Sequence, residues 1–170
     1  MTFKPSEILI LDTETTGFSA TDEIIQLSAI DANGNTICNT YIRPEHTQAW
    51  PEAEKVNKIS PAFVANCQTM SDLRTTLQNM LNRFKCIVGY NLKFDLRMLS
   101  QSGLDTSHMY PVDIMQSYVK HYGVYRRGYK TAKLTEAAEH YGYTYNAHDS
   151  LEDVKATLFV LKALIGENKL

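Results

Sequence analysis

The sequence predicts one α/β domain over residues 1–170, with a mixed five-stranded sheet of three antiparallel strands plus parallel strands, flanked by helices. Three observations predict it. The run Ile8 to Leu11 is apolar and β-prone, as a buried central strand is. Two further strand-like segments follow, separated by the turn signal Asn33-Gly34. From Ser71 onward helical and strand-like patterns alternate, which is the signature of βαβ units and parallel pairing. A chain of 170 residues can bury one sizeable core, but two would be too many. Its 44% apolar and 21% charged composition excludes disordered and low-complexity classes.

The first strand is expected from Glu7 to about Thr13, the second from Glu23 to Asp31 and the third from Thr36 to Arg43, as a meander. Between Pro44 and Asn66 the prolines at 51 and 61 leave room for one or two short helices. Ser71 reads as an N-cap, and Leu73, Leu77, Met80, Leu81 and Phe84 recur at helical spacing, so a helix is expected over Ser71 to Arg83. A strand over Lys85 to Tyr90 feeds a helix from Leu92 to Ser102, with Asn91 before it and Gly103 after it as caps. Tyr110 to Ile114 reads as a short fifth strand, followed by helices at Met115 to Tyr122 and Leu134 to Tyr141. The last helix is expected from about Asp149 to Ile165, with an apolar stripe of Leu151, Val154, Leu158, Leu161 and Ile165.

Several function classes fall away at once. No apolar stretch approaches the roughly 18 residues of a membrane span, and the amino terminus lacks a secretory pattern. A cytoplasmic protein without a membrane partner is expected. Cys38, Cys67 and Cys86 are odd in number and lack C-x-x-C spacing, so reduced thiols are expected rather than a disulfide framework or zinc site. With 17 basic and 19 acidic residues, the chain does not hold nucleic acid by a broad basic surface.

The chemistry lies in the acids. Asp12 and Glu14, two apart at the carboxyl end of the first strand, project from one face. Two carboxylates that close repel each other unless a cation neutralises them, which asks for a hard divalent metal. An isolated D-x-E is commonly an exposed pair, but here Thr15, Thr16 and Gly17 follow, and a tight turn at Gly17 brings backbone amides near a phosphate or sugar. Asp95 lies in the first turn of a helix that begins level with Asp12 and Glu14, at the sheet edge where open α/β sheets bind ligands. His148 and Asp153 are five apart, a rotation of about 140° in a helix. Asp153 is therefore expected inside the last helix and His148 in the loop before it, partly exposed as a general base near neutral pH should be. His46, His108, His121 and His140 read as surface residues.

In this order and on these elements the sequence resembles the DEDDh-type 3'-5' exonucleases of the DnaQ-like family, which includes the epsilon subunit of bacterial DNA polymerase III, RNase T and oligoribonuclease. The resemblance runs from Ile8–Gly17 through Gly89–Asp95 to Ala147–Asp153, nearly the whole chain. It implies a ribonuclease-H-like fold, two divalent cations (Mg2+, with Mn2+ as substitute) and release of 5'-mononucleotides from a 3' end. It further implies that Asp12, Glu14 and Asp153 surround the metal holding the attacking water, that Asp12 is shared with a second metal supported by Asp95, and that His148 removes the water's proton. Paired cations about 3.5 to 4 Å apart would clamp the attacking and leaving oxygens. By matching positions Thr15, Thr16 and Phe18 would contact the terminal nucleotide, with Val56 and Asn57 across the cleft and Asn91 and Phe94 beside the scissile end.

Two residues depart from the family pattern. Tyr90 stands where a histidine is common, and Asn57 where the epsilon subunit has one; both bear on nucleotide preference, not on the acids. The chain ends soon after its last helix, without the epsilon subunit's polymerase-binding tail, which argues against stable tethering to a replicase. A DNA polymerase or another nucleic-acid-processing protein remains the kind of partner the resemblance implies. Tyr125 to Lys133, a predicted loop, interleaves cations with aromatics, and Arg126, Arg127 and Lys130 are expected to contact a single strand. The reading is an exonuclease acting on single-stranded or frayed DNA in proofreading or end trimming. An exoribonuclease of the RNase T or oligoribonuclease type is the alternative within the fold, and a non-catalytic 3'-end binding module the alternative outside it.

Overall fold

The computed structural model describes residues 3–126 and 129–170. A five-stranded sheet is formed by β1 (Ile8–Thr15), β2 (Ile24–Asp31), β3 (Thr36–Tyr41), β4 (Cys86–Gly89) and β5 (Tyr110–Asp113), in the order β3-β2-β1-β4-β5. β2 pairs antiparallel with β1 and β3, whereas β4 runs parallel to β1 and to β5. Strands β1 and β4 thus both finish at one edge of the sheet, in line with the expected crossover.

The remaining elements are helices α1 (Pro51–Asn57), α2 (Pro61–Val64), α3 (Met70–Leu81), α4 (Leu92–Gln101), α5 (Ile114–Tyr122), α6 (Leu134–His140) and α7 (Ser150–Gly166), with a hairpin of β6 (Val124–Arg126) and β7 (Tyr129–Thr131) between α5 and α6. Side-chain alternation along β1 divides the core. Leu9 and Leu11 pack with Leu77, Leu81, Met98 and Leu99 of α3 and α4 on one face. Ile10 faces the other way, with Ile114, Ala137, Val154, Leu161 and Leu164 of α5, α6 and α7. With helices on both faces, every residue of β2 is buried.

Four expectations are corrected. Helix α3 is capped by Thr69, not Ser71: the Thr69 side chain accepts from the Asp72 amide while Asp72 bonds back to the Thr69 amide, a capping box two residues earlier. The Ser71 hydroxyl instead donates to Glu45. The segment read as a loop after Tyr125 is the β6–β7 hairpin, with Tyr125 paired to Lys130 and Arg126 to Tyr129; the Tyr-Arg and Tyr-Lys-Thr runs have the β-propensity to form it. Ile165 is not part of the buried stripe of α7 but 53% exposed. Strand β1 also extends to Thr15, past the expected end, because Glu14 and Thr15 still pair with Gln26 and Ile24 across a bulge.

Candidate active site

Continuing the alternation of β1 places Asp12 and Glu14 on the side of Ile10, towards α7, and Thr13 on the side of α4. The register holds α7 in place there. Ser28 lies opposite Asp12 on β2, and its hydroxyl meets that of Ser150, the first residue of α7, at 2.6 Å. Asp149 caps α7 by accepting from the amides of Leu151 and Glu152 at 3.0 and 3.3 Å. Asp153, in the first turn of α7, then accepts from the His148 backbone amide at 3.1 Å, so the loop before the helix turns back on it. His148 sits at φ 69°, a left-handed conformation that histidine adopts more readily than most residues, and it is exposed.

The result is a cleft of about 450 Å3 lined by Asp12, Glu14, His148 and Asp153 together with Thr15, Thr16, Gly17, Phe18, Val56, Asn57, Tyr90, Asn91 and Phe94. One ligand atom each from Glu14, His148 and Asp153 falls within 4.8 Å of the others. Phe18 is 82% exposed on one lip and Val56 is exposed on the other. The rings of Phe18 and Phe94 lie 5.7 Å apart. Asn57 is buried, its amide donating to the Thr15 carbonyl at 3.3 Å, which ties α1 to the end of β1.

Asp95 arrives from the first turn of α4. It is buried, and its Oδ1 accepts from both the backbone amide and the hydroxyl of Thr13, at 3.1 and 2.8 Å. It therefore sits against the end of β1 beside the cleft, whose lining includes Thr13 and the α4 residue Phe94, near enough for its charge to raise the pKa of Asp12. Thr13, which looks like a spacer between two acids, is the residue that anchors the third. Strand alternation combined with a helix on the far face is the signal that identifies it.

The electrostatics are those of an over-concentrated acidic site. Desolvation, followed by the charges of Asp95 and Asp153, drives the Asp12 pKa well up. Desolvation, helped by Asp153, pushes Glu14 up to about 8. Burial raises Asp95 to about 7 despite the two Thr13 hydrogen bonds, and burial raises Asp153 as well. Protons or cations must compensate these charges. Beside them lies the Tyr145 hydroxyl, its ionisation opposed by burial, by the charge and hydrogen bond of Asp153 and by the charge of Asp12. A donor set of clustered carboxylates with one imidazole fits hard divalent cations.

The basic segment behaves differently. The Lys130 ammonium donates to the Lys120 carbonyl at the end of α5, 3.1 Å away, and Lys130 is not among the described residues lining the cleft. Arg127 lies outside the described residues, and of Arg126 the backbone alone is described. No helix among the described residues is long and apolar enough to cross a membrane. The three cysteines are free.

Comparison with known proteins agrees with this arrangement. The exonuclease family model named for RNase T matches residues 9–161. An uncharacterized exonuclease, CP81, of Escherichia phage 186 is 29% identical over 92% of this chain and 87% of its own length. The PolC-type DNA polymerase III of Clostridium perfringens is 27% identical over 92% of this chain but only 11% of the polymerase. Among solved structures, product-bound exonuclease I matches with a TM-score of 0.75 at 20% identity, over 94% of this chain and 43% of its own. Escherichia coli exonuclease I in complex with a dA16 oligonucleotide matches with a TM-score of 0.76 at 21% identity, over 94% and 40%. This chain thus spans less than half of exonuclease I. With its sheet order, its cleft at the end of β1 and a family match across nine-tenths of its length, the chain belongs to the exonuclease family and has the ribonuclease-H-like fold.

Proposed function

We propose that this protein is a divalent-metal-dependent 3'-5' exonuclease that acts in the cytoplasm as a single domain and releases 5'-mononucleotides from single-stranded or frayed DNA. The observation that carries the reading is the convergence of Asp12, Glu14, Asp153 and His148 on one cleft, with Asp95 beside it, in a charge state that only cations or protons make tolerable.

Asp12, Glu14 and Asp153 would hold one cation and Asp12 with Asp95 a second, Mg2+ in the cell or Mn2+ in its place. Bound there, the ions supply charge neutralisation at the reacting phosphate and a lowered pKa for water. The chain's own residues do the rest. His148, on the rim and exposed, accepts the proton of the attacking water at its imidazole. Thr15, Thr16 and Phe18 border the terminal nucleotide, and Val56 and Asn57 close the other side. Asn91 and Phe94 lie towards the scissile end. Phe18, wide open to solvent, can stack on any base, which gives weak sequence preference. The single-stranded DNA seen with exonuclease I is consistent with such a substrate.

The test is a time course on 3'-labelled and 5'-labelled DNA and RNA, with Mg2+ and with chelator. Mononucleotides should appear first from 3'-labelled DNA and only with metal. Release from the 5' label first, faster loss of RNA, or activity in chelator would each refute part of the assignment: polarity, sugar and metal, respectively.

A further inference from the structure

The turn that carries Phe18 is built in two layers. Inside it, Asp22 accepts from the Thr16 hydroxyl at 2.8 Å and the Ser19 amide at 2.7 Å. A Cβ at Gly17 would meet that carboxylate at 2.7 Å, so the turn folds tightly around it. Outside it, α4 reaches over. One Arg97 guanidinium nitrogen donates to the Phe18 carbonyl at 3.0 Å and the other to the Ser19 carbonyl at 3.4 Å. Its central carbon lies 5.2 Å from the centroid of the Phe94 ring. One turn along the helix, Gln101 donates to the Ala20 carbonyl at 2.5 Å. A single cation therefore grips the backbone of one cleft aromatic and the face of the other.

We infer that Arg97 is a positioning residue that fixes Phe18 and Phe94 as one wedge against the last bases of a nucleic acid strand. It acts on how a polymer is seated, not on hydrolysis itself. The inference rests on the exonuclease reading above. Arg97 does not line the cleft, and its bonds to the turn are exposed, while the internal Asp22 bonds keep the turn folded without it. The role needs a planar fork: lysine has neither two divergent in-plane donors nor the flat face that stacks on a ring.

The test compares wild type, Arg97→Ala, Arg97→Lys, Phe18→Ala and the Arg97→Ala/Phe18→Ala double variant on two substrates with Mg2+. One is a single-stranded oligodeoxynucleotide; the other is the p-nitrophenyl ester of thymidine 5'-monophosphate, which has no second base to seat. Arg97→Ala should raise KM for the oligonucleotide by about 5- to 10-fold, the scale of a weakened base-stacking contact. Turnover of the ester and Mg2+ affinity by calorimetry should remain within about 2-fold of wild type, since the change touches none of the acids that line the cleft. Arg97→Lys should not restore the oligonucleotide KM, and the double variant should be no worse than Phe18→Ala alone, because both act through one wedge. An unchanged oligonucleotide KM, an equal fall on both substrates, or additive losses in the double variant would overturn the inference while leaving the exonuclease reading intact. Wild type inert on both substrates with Mg2+ would instead remove that reading and the inference with it.

Discussion

Asp12 is tightly constrained: part of the central strand, flanked by three other acids, and raised well above a normal aspartate pKa by burial and by Asp95 and Asp153. Such a residue serves function against stability. Asp12→Asn keeps shape and polarity but deletes a proposed cation ligand, so exonuclease activity should fall by more than about 100-fold, exceeding the loss typical of residues that merely support a ligand. The metal-free protein should melt higher, not lower, because folding no longer forces a buried carboxylate to take up a proton, and a thermal melt in chelator checks it. His148 makes the opposite case. Its side chain is exposed, so His148→Asn, which tolerates the φ of 69°, should leave the melting temperature nearly unchanged while activity drops about 100-fold or more. A similar fall in stability would mean that the imidazole is structural.

At the scale of elements, the site depends on where α7 begins. Asp149 caps it and Ser150 joins it to β2 opposite Asp12. Asp149→Ala should cost about 0.5 to 2 kcal/mol of stability through the lost cap, read by denaturant titration. Activity should fall as well, because His148 and Asp153 hang from the same turn; a stability loss with full activity would argue that the site is held elsewhere. Much of this was legible in the chain. The apolar run before Asp12 marked the central strand, and a five-residue gap between His148 and Asp153 required the helix to start between them, as it does at Ser150. What the sequence concealed depended on partners distant in the chain. Thr69 and Ser71 are equally good caps locally, and the choice is set by the reciprocal bond from Asp72 together with Glu45, which claims Ser71. The β6–β7 hairpin was hidden because its strands are three residues each, too short for alternation to show. Arg97 was unreadable because it acts on the turn at Phe18, 79 residues away in the chain.

The whole molecule brings a strand end, two helices and a loop together so that four acids share one end of the sheet, and this has a consequence for its pH response. In the folded, metal-free chain Glu14 holds its proton up to about 8 and Asp95 up to about 7, against ordinary values of 4.5 and 3.8. An unfolded chain gives these protons up first, so over the interval between the two sets of values the folded state binds more protons. Stability must then decrease as pH rises through that interval, since its slope follows protons bound unfolded minus protons bound folded. Below the ordinary values both states are protonated and the effect vanishes. A divalent cation competes with the same protons and binds the folded state alone, so it should cancel the slope and gain affinity as pH increases. Melting temperature measured from about pH 5 to about pH 8 should therefore fall in chelator and stay level or rise with Mg2+. Calorimetric titration of Mg2+ near neutral pH, in buffers of different ionisation enthalpy, should register proton release. Parallel melting curves with and without Mg2+, and no proton release, would mean that the carboxylates do not share a cation at all, and the assignment of Asp12, Glu14, Asp95 and Asp153 as its ligands would have to be abandoned.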